Sequence, residues 1–207
     1  RASVFGSSVA KLPLCHDDYC VISELDTHTR IIDSSVVEAL LSGTAASHLK
    51  VDQVLMVALA RAFGDASIAI DVERHGRDAR AAGESDLSRT VGWFTAIHPV
   101  LVSGSGDAIL AARTLKQAFF TIGEDYLSSM LHGPADRFSD VLFNFLGTVG
   151  TDMPSLVENS AETLVSPLYK CRYPIEVNTQ IRAGRLELSV SVHPASAFAS
   201  NPTGVVD

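Results

Sequence analysis

The feature that most constrains this chain is a pair of alternating runs near its end, Tyr173 to Ile181 and Arg185 to Val192, set around Ala183-Gly184. In the first, Tyr173, Ile175, Val177, Thr179 and Ile181 alternate with Pro, Glu, Asn and Gln. In the second, Leu186, Leu188, Val190 and Val192 alternate with Arg, Glu, Ser and Ser. A period of two sends successive side chains to opposite faces, so each run predicts a strand with one apolar and one wet face. The Ala-Gly step between them predicts an antiparallel hairpin. An apolar sheet face has to be covered, and the rest of the chain must supply the cover.

Helical cover is legible upstream. Val51 to Phe63 (VDQVLMVALARAF) is built from good helix formers, is closed by Gly64, and is apolar around most of its circumference, which predicts a buried helix. Thr29 to Leu41 has helical spacing that ends at Gly43, and Asp107 is a suitable N-cap for a helix over Ala108 to Phe119. Further strands are expected at Tyr19 to Leu25, Ile68 to Val72, Thr90 to Val102 and Val141 to Leu146. Residues 74–89, with Arg74, Arg77, Arg80 and Arg89, read as a loop. Strands and helices interleave without a strict βαβ rhythm. The expected class is therefore α/β in the broad sense (α+β): a two-layer sandwich, a mixed sheet with helices packed on it.

Charge and composition exclude several functions. With 16 Lys+Arg against 24 Asp+Glu, the chain of 207 residues carries a formal charge of -8, a poor match to a phosphate backbone. Basic patches interleaved with aromatics are absent too, so no nucleic-acid partner is expected. No apolar run approaches the roughly 20 residues that span a bilayer, so no membrane partner is expected. Three cysteines, Cys15, Cys20 and Cys171, do not read as a disulfide framework and favour a reducing, cytoplasmic setting. Cys15, His16 and Cys20 match no standard zinc spacing, and no metal site is expected. The chain opens at Arg1 without a Met, as a fragment or processed product would.

Chemistry can sit in three short segments. Val72-Glu-Arg-His-Gly-Arg-Asp78 puts a carboxylate, a histidine and two arginines at the end of a buried strand, where a pKa can be tuned; charge pattern alone favours a solvated loop. Asp86-Leu-Ser-Arg-Thr-Val-Gly-Trp-Phe-Thr95 has a glycine that permits close backbone approach, within what can also be an ordinary core strand. Phe143-Asn-Phe-Leu-Gly147 holds an amide inside an apolar strand, and a buried amide needs hydrogen-bond partners from the protein or a substrate. There is no G-x-G-x-x-G turn, Walker loop, G-x-S-x-G elbow or H-E-x-x-H helix.

Taken in order, these segments resemble the epimerization domains of non-ribosomal peptide synthetases, in the condensation-domain superfamily. That family carries E-G-H-G-R-E, then R-T-V-G-W-F-T-x-x-Y-P, then F-N-Y-L-G. Here Glu73-Arg-His-Gly-Arg-Asp78, Arg89-Thr-Val-Gly-Trp-Phe-Thr-Ala-Ile-His-Pro99 and Phe143-Asn-Phe-Leu-Gly147 stand at similar spacings. Val51-Asp-Gln-Val-Leu-Met-Val-Ala-Leu-Ala60 is similar to the family's D-x-L-L-x-A helix. The departures are Arg74 for a glycine, Asp78 for a glutamate, His98 and Phe145 for tyrosines, and a glycine-rich motif reduced to Gly123 and Tyr126. The family's H-H-x-x-x-D-G motif is not found in the chain.

The resemblance implies a chloramphenicol-acetyltransferase-like lobe, with residues 1–207 as the C-terminal lobe of a two-lobed domain. It implies conversion of an L-aminoacyl or peptidyl residue to D, on the phosphopantetheine arm of a peptidyl carrier protein, with no cofactor bound directly. Glu73 would be the acid/base of this lobe, and Asn144 would orient the substrate or stabilise the enolate. His75, Trp93 and Phe145 would line the substrate site, core packing being the plainer role for Trp93 and Phe145. The expected partners are the carrier protein, the N-terminal lobe with a second acid/base histidine, and other synthetase domains. Two alternatives stay open: a peptide-bond-forming condensation lobe, and a degenerate domain that only binds a carrier or recruits an enzyme.

Overall fold

The computed structural model describes residues 20–75, 86, 89–92, 94–122, 139–157 and 166–194. Six strands form one mixed sheet, in the order β1-β6-β5-β4-β2-β3. They are β1 (Asp26–Ile32), β2 (Ser67–Arg74), β3 (Ala96–Ser103), β4 (Val141–Val149), β5 (Ile175–Arg182) and β6 (Arg185–Val192). The helices are α1 (Ser34–Ser47), α2 (Val51–Ala62) and α3 (Ala108–Ile122). β2, β4 and β5 run parallel to their neighbours in that set, while the hairpins β2–β3 and β5–β6 and the β1–β6 pair are antiparallel.

Period-two alternation sorts the sheet into two chemically different faces. Ile68, Ile70 and Val72 of β2, Val141 and Phe143 of β4, Ile175 and Val177 of β5, and Val190 and Val192 of β6 share one face. They pack there with Met56, Val57 and Ala60 of α2 and with Ala112 and Leu115 of α3. A smaller cluster of Val37, Ile181 and Leu186 seats α1 on the same side. This is the expected two-layer sandwich. The residues between those positions, Asp71, Glu73, Asn144, Glu176, Asn178, Gln180, Glu187 and Ser189, belong to the opposite face.

Several expected boundaries move. The strand expected at 19–25 is instead an isolated bridge from Val21 to Lys170 followed by one 3-10 turn, Ile22–Glu24. The helix expected from Thr29 starts at Ser34, because Thr29–Ile32 pair with β6 along their length as part of β1. Helical spacing of Ile32, Val36 and Val37 was the misleading signal, and cross-strand pairing outweighs it. Gly43 lies inside α1, and the helix ends at His48 in the left-handed region (φ 54). Arg74 belongs to β2 rather than to a loop, and β4 continues to Val149.

Other expectations hold. Asp107 caps α3 by accepting the Leu110 N–H at 2.8 Å. Ala183 (φ 51) and Gly184 (φ 75) join β5 to β6, the positive-φ pair that a two-residue hairpin requires. The hairpin's polar face, expected to be wet, is partly covered: Gln180 and Glu187 are buried beneath residues 151–157. Trp93, Arg77, Asp78, most of the expected 74–89 loop, Cys15, His16, Gly123 and Tyr126 lie outside the described residues.

Candidate functional site

The site begins where two parallel strands part. The β2–β4 ladder is short, Asp71 to Leu142, Val72 to Phe143 and Glu73 to Asn144, after which β2 stays with β3 and β4 continues with β5. Register partners in a parallel pair point to the same side, so Glu73 and Asn144 stand next to one another on the polar face. Divergence of strands at their C-terminal ends leaves a crevice, the usual place for a ligand in an open α/β sheet. A cavity of about 390 Å³ opens there, lined among others by Asp52, Glu73, His75, Asn144, Phe145 and Gly147.

The parting of the strands is held by named contacts. The Asp71 N–H donates to Ser139 Oγ at 2.9 Å, and that hydroxyl donates to the Val141 carbonyl at 2.7 Å. Tyr173 donates its hydroxyl to Asp71 Oδ2 at 2.9 Å, with Asp71 wholly buried. These bonds tie β2 to the start of β4 and to the approach of β5, two residues before Glu73. Beyond Asn144, the β4–β5 register shifts between Phe145 and Thr148, with Gly147 at φ 86. A bulge of this kind bends the strand away and lets its backbone face the cavity.

Electrostatics at the site follow from burial. Burial pushes the Glu73 carboxyl above its ordinary range. Positive charge beside the carboxyl would work the other way. Strand alternation instead carries Arg74 to the helical side, where its guanidinium lies 4.4 Å from the centre of the Phe119 ring. Glu176, on the same face as Glu73 and one strand beyond β4, is also pushed up, first by burial and then by the negative charge of Glu73. A carboxylate with a raised pKa holds a proton nearer neutrality and is a better base when it loses it.

The expected site residues are therefore distributed as follows. Glu73, His75, Asn144 and Phe145 meet at one cavity. Asn144 is half-buried rather than sealed in the core, and its carbonyl accepts from Thr179 Oγ1 at 3.2 Å. Phe145 also packs against both apolar clusters, so it serves core and cavity wall together. Sequence reasoning missed Asp52, in the first turn of α2, which reaches the cavity from the helical layer. It missed Asn178 and Ser189 as well, which continue the row from Asn144 across β5 and β6. The alternation itself carried that second signal, since both are the polar positions of the hairpin. Among the described residues no group of His, Cys, Asp and Glu could hold a metal ion, and no helix is long and apolar enough to cross a membrane.

With this geometry in view, the similarities to known proteins are informative. No protein-family model matches the chain. It is 32% identical over 192 residues to chondramide synthase of Chondromyces crocatus, covering 81% of this chain and 4% of that protein. It is 30% identical over 205 residues to nonribosomal peptide synthetase 32 of Fusarium pseudograminearum, covering 84% of this chain and 2% of that protein. Among solved structures, the epimerization domain from the third module of tyrocidine synthetase B superposes with a TM-score of 0.77 at 22% identity. That match covers 98% of this chain and 50% of the other, so the chain spans half its length. A condensation domain that releases the chain of the enacyloxin polyketide synthase superposes with a TM-score of 0.59 at 12% identity, covering 87% of this chain and 38% of that one.

Proposed function

We propose that this chain, a member of the condensation-domain superfamily of non-ribosomal peptide synthetases, is the Glu73-bearing lobe of an epimerization domain. The observation that carries the proposal is the register pair Glu73–Asn144, which lines a cavity where two parallel strands part. Support also comes from the motif resemblance at Glu73, Arg89 to Pro99 and Phe143 to Gly147, and from the epimerization domain among the superposable structures.

Inverting an α-carbon requires removing its proton on one face and returning a proton on the other. In the proposed mechanism the α C–H bond of a carrier-bound aminoacyl or peptidyl thioester breaks and its proton passes to an acid/base group. The electron pair moves into the thioester carbonyl to give an enolate. Glu73 is the acid/base on this lobe, and the raised position of its carboxyl brings it toward the operating pH. The Asn144 amide can donate to the developing enolate oxygen or hold the substrate beside Glu73. His75 and Phe145 line the substrate site, as does Trp93 by its place in the motif. The opposing acid/base group would come from the partner lobe, and the substrate would arrive on the phosphopantetheine arm of a peptidyl carrier protein in the cytoplasm.

The condensation alternative draws on the second superposable structure. One experiment separates the two. The parent synthetase module, its carrier loaded with an L-aminoacyl thioester, is incubated, the product is released by base, and its chirality is read by chiral chromatography. An L/D mixture is the expected result. Retention of pure L configuration, with a new peptide bond once a second loaded carrier is added, would establish the condensing alternative instead.

A further inference from the structure

Two cysteines far apart in the sequence meet outside the site. Cys20 and Cys171 are separated by 151 residues, yet their sulfurs lie 3.3 Å apart. Backbone contacts fix the approach. The Cys171 N–H donates to the Cys20 carbonyl at 2.9 Å, and Val21 bridges Lys170. The Ile22 N–H donates to the Tyr169 carbonyl and the Ser23 N–H to the Pro167 carbonyl, both at 3.0 Å. The segment entering β1 is thus zipped onto the segment entering β5. Both cysteines are free thiols; Cys20 is buried and Cys171 half-buried, which leaves the pair open from the Cys171 side.

We propose that Cys20 and Cys171 form an oxidative modification site, converted by hydrogen peroxide to an intramolecular disulfide that locks the entry of β1 to the entry of β5. In the reaction one thiolate attacks a peroxide oxygen, the O–O bond breaks, and water leaves, giving a sulfenic acid. The second thiol attacks that sulfur, the S–O bond breaks, and a second water departs. Overall two thiols and one peroxide give one disulfide and two waters; sulfur loses the two electrons that peroxide gains. A small neutral oxidant suits the place better than oxidised glutathione. Burial, the Cys20 neighbour, and then the charges of Glu176 and Glu24 push the Cys171 thiol to about 12. Those two carboxylates would repel an anionic disulfide reagent.

The test uses the full chain, reduced, then treated with hydrogen peroxide and digested without reductant. The expected bridge is Cys20–Cys171, with Cys15 still open to iodoacetamide. Because the bond closes a long span of the unfolded chain, Tm should rise by roughly 5–15 °C and return on reduction with a phosphine. Cys171→Ala should abolish both the bridge and the shift, and Cys15→Ser should keep both. A bridge that uses Cys15, overoxidation of either thiol without a bridge, or faster reaction with oxidised glutathione than with peroxide would overturn the proposal. Wild-type reversal by reductant keeps the test decisive even if the alanine variant folds poorly.

Discussion

At Glu73, burial acts on stability and chemistry at once. The charged form is disfavoured in the fold, so the folded-state pKa is raised, and burial is the cause. A raised pKa contributes stability that is fully present below the ordinary carboxylate value and is lost as pH rises through the folded value. Glu176 carries the same sign, with burial first and the Glu73 charge second. Glu73→Gln removes one buried charge and relieves Glu176 of its neighbour. The variant should therefore melt higher than wild type at pH 7 and level with it below about pH 4, checked by thermal unfolding at both values. A stabilising substitution that removes the proposed acid/base group is the trade expected at a functional site. The sequence could single out Glu73 and Asn144 as candidates, which the fold brings side by side, because motif spacing and strand-end position are local. It put Arg74 in a loop, because the end of a strand leaves no local mark there, and β2 runs through it.

At the scale of elements, the hairpin β5–β6 was the clearest prediction and β1 the poorest, for opposite reasons. β6 is flanked by strands on both sides and turns Leu186, Leu188, Val190 and Val192 toward the core, so its period is written in the sequence. β1 is an edge strand, exposed along most of its length, and its sequence Asp26–Ile32 was free to lack alternation. The cover over the polar face was also illegible, because residues 151–157 are held by side chains of the hairpin, Glu187, Gln180 and Arg182, far along the sequence. Glu187 Oε2 accepts from Gln180 Nε2 at 2.8 Å, the Leu156 N–H at 2.9 Å and Ser155 Oγ at 3.0 Å. Arg182 lies 3.7 Å from its other oxygen and donates to the Met153 and Thr151 carbonyls. Burial pushes the Glu187 carboxyl up, but these donors and the arginine outweigh it and leave it below its ordinary range. Stability of this sign is present above the unfolded pKa and lost as pH falls through the folded one. Glu187→Gln should cost about 1–3 kcal/mol at pH 7 and progressively less in acid, measured by denaturant unfolding across pH 3–7.

At the scale of the whole molecule, one sheet separates two tasks. Its helical face holds the core, and its other face carries the row Glu73, Asn144, Asn178 and Ser189. The fold class was legible because patterning dictates layers. The cavity was not, because it arises from the parting of β2 and β4, and parallel pairing between residues about seventy positions apart leaves no local mark. Asp52 joins the cavity for the same reason: its helix reads as core, and only packing against the sheet brings its first turn to the strand ends. The central claim is that Glu73 moves the α-proton. Its most direct test is deuterium incorporation at the α-carbon of a carrier-bound aminoacyl thioester in heavy water, comparing the intact parent module with its Glu73→Gln variant. Carrier loading should be equal in the two. Exchange should fall by about 10²-fold or more in the variant, the scale of one general acid–base group. Exchange at the wild-type rate in Glu73→Gln would contradict the account.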